Sequence, residues 1–352
     1  MTSEWLEYAQ MYGLPECILV DSNCEEDDDE YIRIPGHLAS ADGDLFRIFT
    51  PLVRYKGPYT YERLQGDISL LKRVYPFMDV HSIGKSVLGK ELYALQIGNG
   101  ETKVHMNASF HANEWMTSSL LMRFVNEYML ALTNNEQMLG TDAMHLYENI
   151  TLHIVPMVNP DGVDLVINQG ATTGTDMDRL HAINNADDDF TWWKANVNGV
   201  DLNNQFPAKW DIEKERKIPK TYAPRDYPGD EPLSEPEALA MAEVAYREQF
   251  DMLVALHSQG KEIYWGYEGY EPTYAGEIVE EMERVSGYKA IQNIDSHAGY
   301  RDWFIQEFGR PGFTIEVGKG INPLPLSTFD STYAECRNIL LASMYTALKT
   351  SF

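Results

Sequence analysis

The sequence predicts an α/β protein, a sheet with helices on both of its faces. Strand-like apolar runs alternate with helical stretches along most of the chain, which is the pattern of an α/β sheet. The run at 150–158 is strongly apolar, as a strand buried in the middle of a sheet is. Of the 352 residues, 44% are hydrophobic, enough for one large core with at most a small appendage.

Residues 1–45 stand apart from the rest. Trp5 to Gly13 reads as a short helix stopped by glycine, and a second short helix follows. An acidic run, Glu25 to Glu30, leads to an apolar strand closing on Ile34-Pro35-Gly36. So short a stretch buries little surface by itself. The main domain, 46–352, shows its first clear element at Thr60 or Tyr61, a helix to Val74 with Leu64, Ile68, Leu71 and Val74 on one face. Strands are expected at 80–86, 90–97 and 103–110, with turns at Gly84, Leu88-Gly89 and Gly98-Asn99-Gly100. A long helix over 115–132 precedes the buried strand at 150–158. The polar stretch 169–198 reads as loops and short helices, and 207–232, rich in Pro and Lys, as loop. Ser234-Glu-Pro-Glu237 has the form of a capping box opening a helix to Gln249. Strands at 252–257 and 313–317 and helices at 273–285 and 328–348 complete the chain.

Charge excludes two classes of partner. Lys and Arg number 28 against 54 Asp and Glu, a formal charge of −26, and such a field repels nucleic acid and anionic membrane surfaces. Cys17, Cys24 and Cys336 form neither a disulfide framework nor a C-x-x-C pair, so they are read as ordinary thiols. The N-terminus lacks the basic and apolar regions of a signal peptide, and no run is long enough to span a membrane. A cytoplasmic protein is expected, with cell-wall association open to a trimmed secreted form.

The chemistry centres on His111-Ala-Asn-Glu114, where a strand gives way to a helix. At this spacing an imidazole nitrogen and a carboxylate oxygen converge on one point, and zinc accepts both ligand types. His257, ending the apolar run 250–256, is the best supplier of a third ligand, leaving a fourth position for water. H-x-x-E alone is a weak signal. The ordered set of H-x-x-E, Asn159-Pro-Asp-Gly162, Gly199-Val-Asp-Leu-Asn203, a strand-end His257 and Glu316 inside the apolar Phe313-Thr-Ile-Glu-Val317 is hard to obtain by chance. The remaining histidines, His37, His81, His105, His145, His153 and His181, have no partner at useful spacing and are read as structural.

From about residue 59 onward, these motifs resemble the zinc metallocarboxypeptidases (funnelins), which implies an eight-stranded mixed sheet flanked by helices. Trp193-Lys-Ala-Asn196, the Gly199–Trp210 segment and Ala223-Pro-Arg-Asp-Tyr-Pro-Gly229 make it most similar to the bacterial γ-D-glutamyl-meso-diaminopimelate peptidase branch. Residues 1–45 resemble part of a LysM module, which implies contact with peptidoglycan glycan. Carried onto matching positions, His111, Glu114 and His257 hold one zinc ion and Glu316 is the general base. A lone carboxylate in an apolar strand is costly, and a neighbouring cation stabilises its ionised form.

Departures from the digestive carboxypeptidases narrow the reading. Lys194 stands where they carry an oxyanion-stabilising Arg, a point charge in place of a fork. Asn203-Asn204 replaces an Asn-Arg pair whose Arg clamps a terminal carboxylate, so Asn203 and Asn204 would meet the substrate without an ion pair. Asn198 stands where the branch carries Arg, and Ile294 where the family carries a mobile tyrosine. Arg301 falls at the position that lines the primary specificity pocket and suits the side-chain carboxylate of diaminopimelate. The expected function is a zinc peptidase cutting the γ-D-glutamyl–diaminopimelate bond of murein peptides. The alternatives are a zinc carboxypeptidase preferring an acidic C-terminal residue, or a non-catalytic peptidoglycan-binding protein.

Overall fold

The computed structural model describes residues 3–24, 32–54, 56–170 and 176–349. The acidic run at 25–30, Tyr31 and residues 171–175 of the polar stretch lie outside the described residues. Eight strands form the central sheet: β1 (Asp79–Lys85), β2 (Glu91–Ile97), β3 (Thr102–Ala108), β4 (Ile150–Val155), β5 (Met252–His257), β6 (Glu262–Trp265), β7 (Lys289–Gln292) and β8 (Gly312–Glu316). Their spatial order is β7-β6-β8-β5-β3-β4-β2-β1. The middle four, β8, β5, β3 and β4, are parallel to one another. β6 joins β8 antiparallel, as β2 joins β4 and β1 joins β2, so the sheet is mixed as expected.

Every residue of β4 and β5 is buried, because helices cover both faces of the sheet. On one face lie α1 (Tyr61–Val74), α2 (Met116–Asn134), α5 (Ala275–Ser286) and α7 (Phe329–Lys349), packed on Val104, Met106, Val254 and Leu256. On the other lie α4 (Pro236–Glu248) and α6 (Tyr300–Phe308), packed on Leu253 and Ala255. The alternation Leu253, Val254, Ala255, Leu256 between the two cores follows from the two-residue period of a strand. α1 begins where read: the Thr60 hydroxyl accepts from Arg63 N (3.2 Å), and Leu64, Ile68, Leu71 and Val74 are all buried.

Other elements differ from the sequence reading. No capping box opens α4: Glu235 at the cap position makes no side-chain bond there, and the Ser234 hydroxyl donates to Gln205 Oε1 at 3.2 Å. Glu237 is buried and accepts from Val87 N at 3.1 Å, so tertiary packing has taken the carboxylate the box needed. The stretch read as loop at 207–232 contains a helix, Trp210–Arg216. The 150–158 strand stops at Val155, and Asn159-Pro160 opens a further helix, α3 (Pro160–Asn168). β6, β7 and α6 had no distinct sequence reading, being short and of mixed polarity.

At the N-terminus the two short helices are Ser3–Tyr12 and Glu16–Asp21. Ala9, Leu14 and Leu19 form a small cluster between them, covered by Trp5, Tyr8, Tyr12, Ile32 and Ile34. Residues 32–36 carry no strand; His37–Ala39 pairs instead with Leu45–Arg47. Arg47 docks this segment on α2, donating to Thr133 O at 2.7 Å and Asn134 Oδ1 at 3.0 Å. All three cysteines are free. Among the described residues, no helix is long and apolar enough to cross a membrane.

His105 on β3 and His153 on β4 face each other across the register His105↔His153, with their Nδ1 atoms 3.0 Å apart. Both are buried, and burial disfavours the charged form, holding His153 down to about 3 and His105 well below the usual 6.5. Lys103, Arg247 and His81 push His153 the same way, while Glu248 opposes them. Below 6.5 the unfolded chain takes up protons that the folded pair refuses, so stability falls as the pH drops from 6.5 towards 3. We therefore expect the loss of urea midpoint between about pH 7 and about pH 5 to be smaller in His153→Leu than in the natural chain. An equal loss in both would exclude the pair as its source.

Candidate metal centre and active site

β3 and β4 are neighbours, but the next sheet strand in sequence, β5, lies on the other side of β3. The connections leaving β3 and β5 therefore diverge, and a crevice opens at the carboxyl ends of these strands, where open α/β sheets bind ligands. His257 is the last residue of β5. Parallel pairing with β8 sets Glu316 directly beside it. From β3 the chain turns sharply at Ser109, with φ of 52°, and brings His111 and Glu114 to the same edge. The turn is tied down by Ser109 N donating to Thr117 Oγ1 (3.0 Å) and by the bond between the Ser109 and Ser118 hydroxyls (2.7 Å). Asn159 fixes it from below, donating through Nδ2 to Phe110 O at 3.2 Å and to Ala195 O at 3.0 Å. A Cβ on Gly162 would fall 2.6 Å from Asn159 Oδ1 and 2.7 Å from Ala195 O, so the Asn159-Pro-Asp-Gly162 turn needs glycine for close approach.

The three expected metal ligands meet. His111 Nδ1 lies 2.9 Å from Glu114 Oε1, and His257 Nδ1 lies 3.2 Å from both His111 Nδ1 and Glu114 Oε2. All three are buried. Ligand atoms set tetrahedrally at zinc's usual bond lengths stand roughly 3.3 Å from one another, so the spacing fits. The donor chemistry fits too. The Nε2 edge of His111 faces Asp201 Oδ1 at 3.2 Å, which leaves Nδ1 as the ligand atom of a neutral ring. With no cation present, Glu114 and Asp201 together push the His111 imidazole up to about 9, against desolvation and Lys194, which lower it. Glu114 is held well below the usual carboxylate range by His111 and His257, despite its burial. Ser258 N, donating to Oε2 at 3.1 Å, and Asn322 Nδ2, donating to Oε1 at 3.4 Å, orient it further.

A cavity of about 1110 Å³ lies between residues 32–45 and α1 and contains none of these ligands. The site chemistry is in two smaller cavities at the sheet edge. The first, about 300 Å³, is lined by His111, Glu114, Trp192, Lys194, Arg225 and Glu316 among others. The second, about 200 Å³, is lined by Arg301, Asp302, Asn203, Ile294, Thr314 and Glu316 among others. Glu316 and Tyr264 line both. Burial, with Glu114 and Glu262 adding to it, lifts the Glu316 carboxyl to about 8. A divalent ion beside it would favour its ionised form.

Lys194 reaches the metal-side cavity, its backbone carbonyl accepting from Ala112 N at 3.0 Å. Arg301 is buried in the second cavity, its guanidinium paired with Asp302. Asn203 lines the same cavity, and its Oδ1 accepts from Tyr300 N at 3.2 Å. Asn204 is buried but lines neither cavity, so the structure does not bring it to the site. Asn198 turns away, donating to Glu235 Oε2 at 2.8 Å.

Sequence reasoning assigned no role to Asp201 or Tyr264. The signal for Asp201 was a lone carboxylate between Val200 and Leu202, the same kind of signal that exposed Glu316. For Tyr264 there was none, since its strand had not been read.

The Asp201→Asn variant is expected to bind zinc roughly 10- to 100-fold more weakly by loosening His111, measured by competition with a chelator. Unchanged affinity would show that the Asp201–His111 contact does not support the ligand.

Comparison with known proteins gives a consistent picture. A family model described as zinc carboxypeptidase matches residues 67–336. The chain is 49% identical over 299 residues to gamma-D-glutamyl-L-diamino acid endopeptidase 1 of Lysinibacillus sphaericus, covering 85% of this chain and 75% of that protein. It is 45% identical over 291 residues to the uncharacterised protein YqgT of Bacillus subtilis, covering 82% and 77%. Among solved structures, bovine thrombin-activatable fibrinolysis inhibitor superimposes with a TM-score of 0.67 at 20% identity, over 84% of this chain and 99% of that one. Carboxypeptidase A from Helicoverpa armigera gives 0.62 at 17% identity, over 99% and 81%. At these identities the two structures speak for the fold alone.

Proposed function

The chain belongs to the zinc carboxypeptidase family, and from that membership we propose that it hydrolyses the amide joining the γ-carboxyl of a D-glutamyl residue to diaminopimelate in murein peptides. The observation that carries this reading is the Arg301 cavity, which shares Glu316 with the metal-side cavity. A buried guanidinium in a cavity that Glu316 also lines suits a leaving group that bears its own side-chain carboxylate. The relative from Lysinibacillus sphaericus, named for a γ-D-glutamyl-L-diamino acid bond, supports the same substrate class.

His111, Glu114 and His257 would hold the zinc ion. When bound, zinc supplies Lewis acidity toward the scissile carbonyl and makes water more acidic. Glu316 stands beside His257 in register, in a buried position where a neighbouring divalent ion would favour its ionised form. It takes a proton from the attacking water and returns it to the leaving amine. Lys194 faces the acyl side of the same cavity, where its ammonium offsets charge growing on the carbonyl oxygen. Asn203 shares the leaving-group cavity with Arg301, and Asn204, at the position where a carboxypeptidase carries its arginine clamp, holds no charge. The cavity thus lacks the ion pair that would select an ordinary C-terminal α-carboxylate.

Incubation of the zinc-loaded protein with L-Ala-γ-D-Glu-meso-diaminopimelate should release L-Ala-D-Glu and diaminopimelate by mass spectrometry, and a chelator should stop it. Glu316→Gln should keep its zinc and lose turnover by at least about 100-fold, the usual size of a general-base contribution. Arg301→Ala should raise KM for the same peptide by roughly tenfold, as loss of a charged hydrogen bond does. Full activity in Glu316→Gln, or an unchanged KM in Arg301→Ala, would remove the corresponding role. Cleavage of ordinary acidic C-terminal residues with the murein peptide left intact would favour a conventional carboxypeptidase.

A further inference from the structure

The two cavities divide the substrate at Glu316 and Tyr264, which line both. If the leaving diamino acid occupies the Arg301 side, the acyl residue occupies the metal-side cavity. A γ-linked glutamyl residue differs from an ordinary acyl residue in one respect: its α-carboxylate stays free, separated from the carbonyl that reacts by the α-carbon and two methylenes. That anion must enter a protein of formal charge −26, so the acyl side needs a cation of its own.

Arg225 meets the need. It lines the metal-side cavity with Lys194 and Trp192. Its backbone is anchored on both sides. Pro224 O accepts from Lys194 N at 2.8 Å and from Ala195 N at 3.0 Å, while Asp226 N donates to Asp201 Oδ2 at 3.2 Å. Asp201 in turn contacts His111 Nε2 through its other oxygen. The arginine is therefore held in fixed relation to the metal ligands although its side chain is 52% exposed. Its Nε pairs with Asp226 Oδ2 at 2.9 Å, and Asp226 also stands 3.8 Å from Lys217. The Nη groups of Arg225 have no hydrogen-bond partner among the described residues.

We propose that Arg225 is a specificity-determining residue whose guanidinium binds the free α-carboxylate of the γ-glutamyl residue on the acyl side. The planar fork of Arg matches a carboxylate with two parallel hydrogen bonds, which a lysine cannot do. Lys194, pinned next to the metal-ligand loop, stays with the carbonyl oxygen. Arg225 and Arg301 then hold the two ends of the substrate, one anion each, with the scissile amide between them. This assignment rests on the reaction proposed above.

The test uses the full-length zinc-loaded chain and two tripeptides that differ in one group. One is L-Ala-γ-D-Glu-meso-diaminopimelate; the other carries a carboxamide in place of the glutamyl α-carboxylate. The natural chain should prefer the acid by roughly 10- to 100-fold in kcat/KM, the range for a hydrogen bond to a charged group. In Arg225→Gln the ratio should collapse to about one, with the loss confined to the acid and expressed in KM. Arg225→Lys should recover part of the preference. Retained turnover of the amide peptide, together with zinc content, checks that each variant is folded. An acid preference that survives in Arg225→Gln, or an equal loss on both peptides, overturns the assignment and leaves the reaction standing. If the natural zinc-loaded chain cleaves neither peptide, the reaction itself fails and the assignment with it.

Discussion

Asp201 is buried, and both of its carboxylate oxygens are committed. One faces His111 Nε2 at 3.2 Å and also accepts from Asn203 N; the other accepts from Asp226 N. Its carboxyl is held well below the usual carboxylate range, and so ionised, by His111, Lys194 and Lys217, which outweigh the cost of burial. A single side chain thereby sets the tautomer of one metal ligand, the backbone that carries Asn203, and the loop that carries Arg225. Removing the charge would leave a buried imidazole without its orienting partner and free two segments of the cavity wall together. The position of everything on that wall depends on this carboxylate staying ionised and fixed.

The remainder of the centre is set by strand order. β5 and β8 are parallel neighbours, so His257 and Glu316 end side by side with no loop geometry needed to bring them together. The β3 end contributes the other two ligands through a short, strained turn pinned by Thr117, Ser118 and Asn159. Ligands on strand ends are held more precisely than ligands on long loops, since the sheet's hydrogen-bond ladder fixes their spacing. The polar network around Ser109 and Asn159 is buried, so its hydrogen bonds must be made or their desolvation cost is left uncompensated.

Charge is distributed against the molecule's overall sign. The chain carries −26 formally, yet Lys194, Arg225 and Arg301 all line the two cavities at the sheet edge. Short-range interactions in a partly desolvated cavity are screened far less than those across the surface, so these local cations can outweigh the general field there. The neutral Asn203 beside Arg301 in the second cavity is as informative as the cations. It offers direction without charge, while Arg301 supplies charge deeper in the cavity.

Much of this protein was legible in the order of its residues. The strand-to-helix step at His111 and Glu114 is local, so the spacing alone brings an imidazole and a carboxylate together. The apolar runs around His257 and Glu316 mark them as polar groups at the ends of buried strands, and the alternation of strands and helices is written in hydrophobic period. Tertiary structure decided what depends on contacts between distant segments. Asp201 lies ninety positions from His111 in sequence, and no local pattern ties them. The four-residue strands β6 and β7, with mixed burial, are too short to show a period, so Tyr264 was hidden with them. The apparent capping box at Ser234 failed because Gln205 and Val87, both distant in sequence, competed for its two side chains and prevailed. Local chemistry names the groups that can act; packing across the switch between β3 and β5 decides which of them share one cavity.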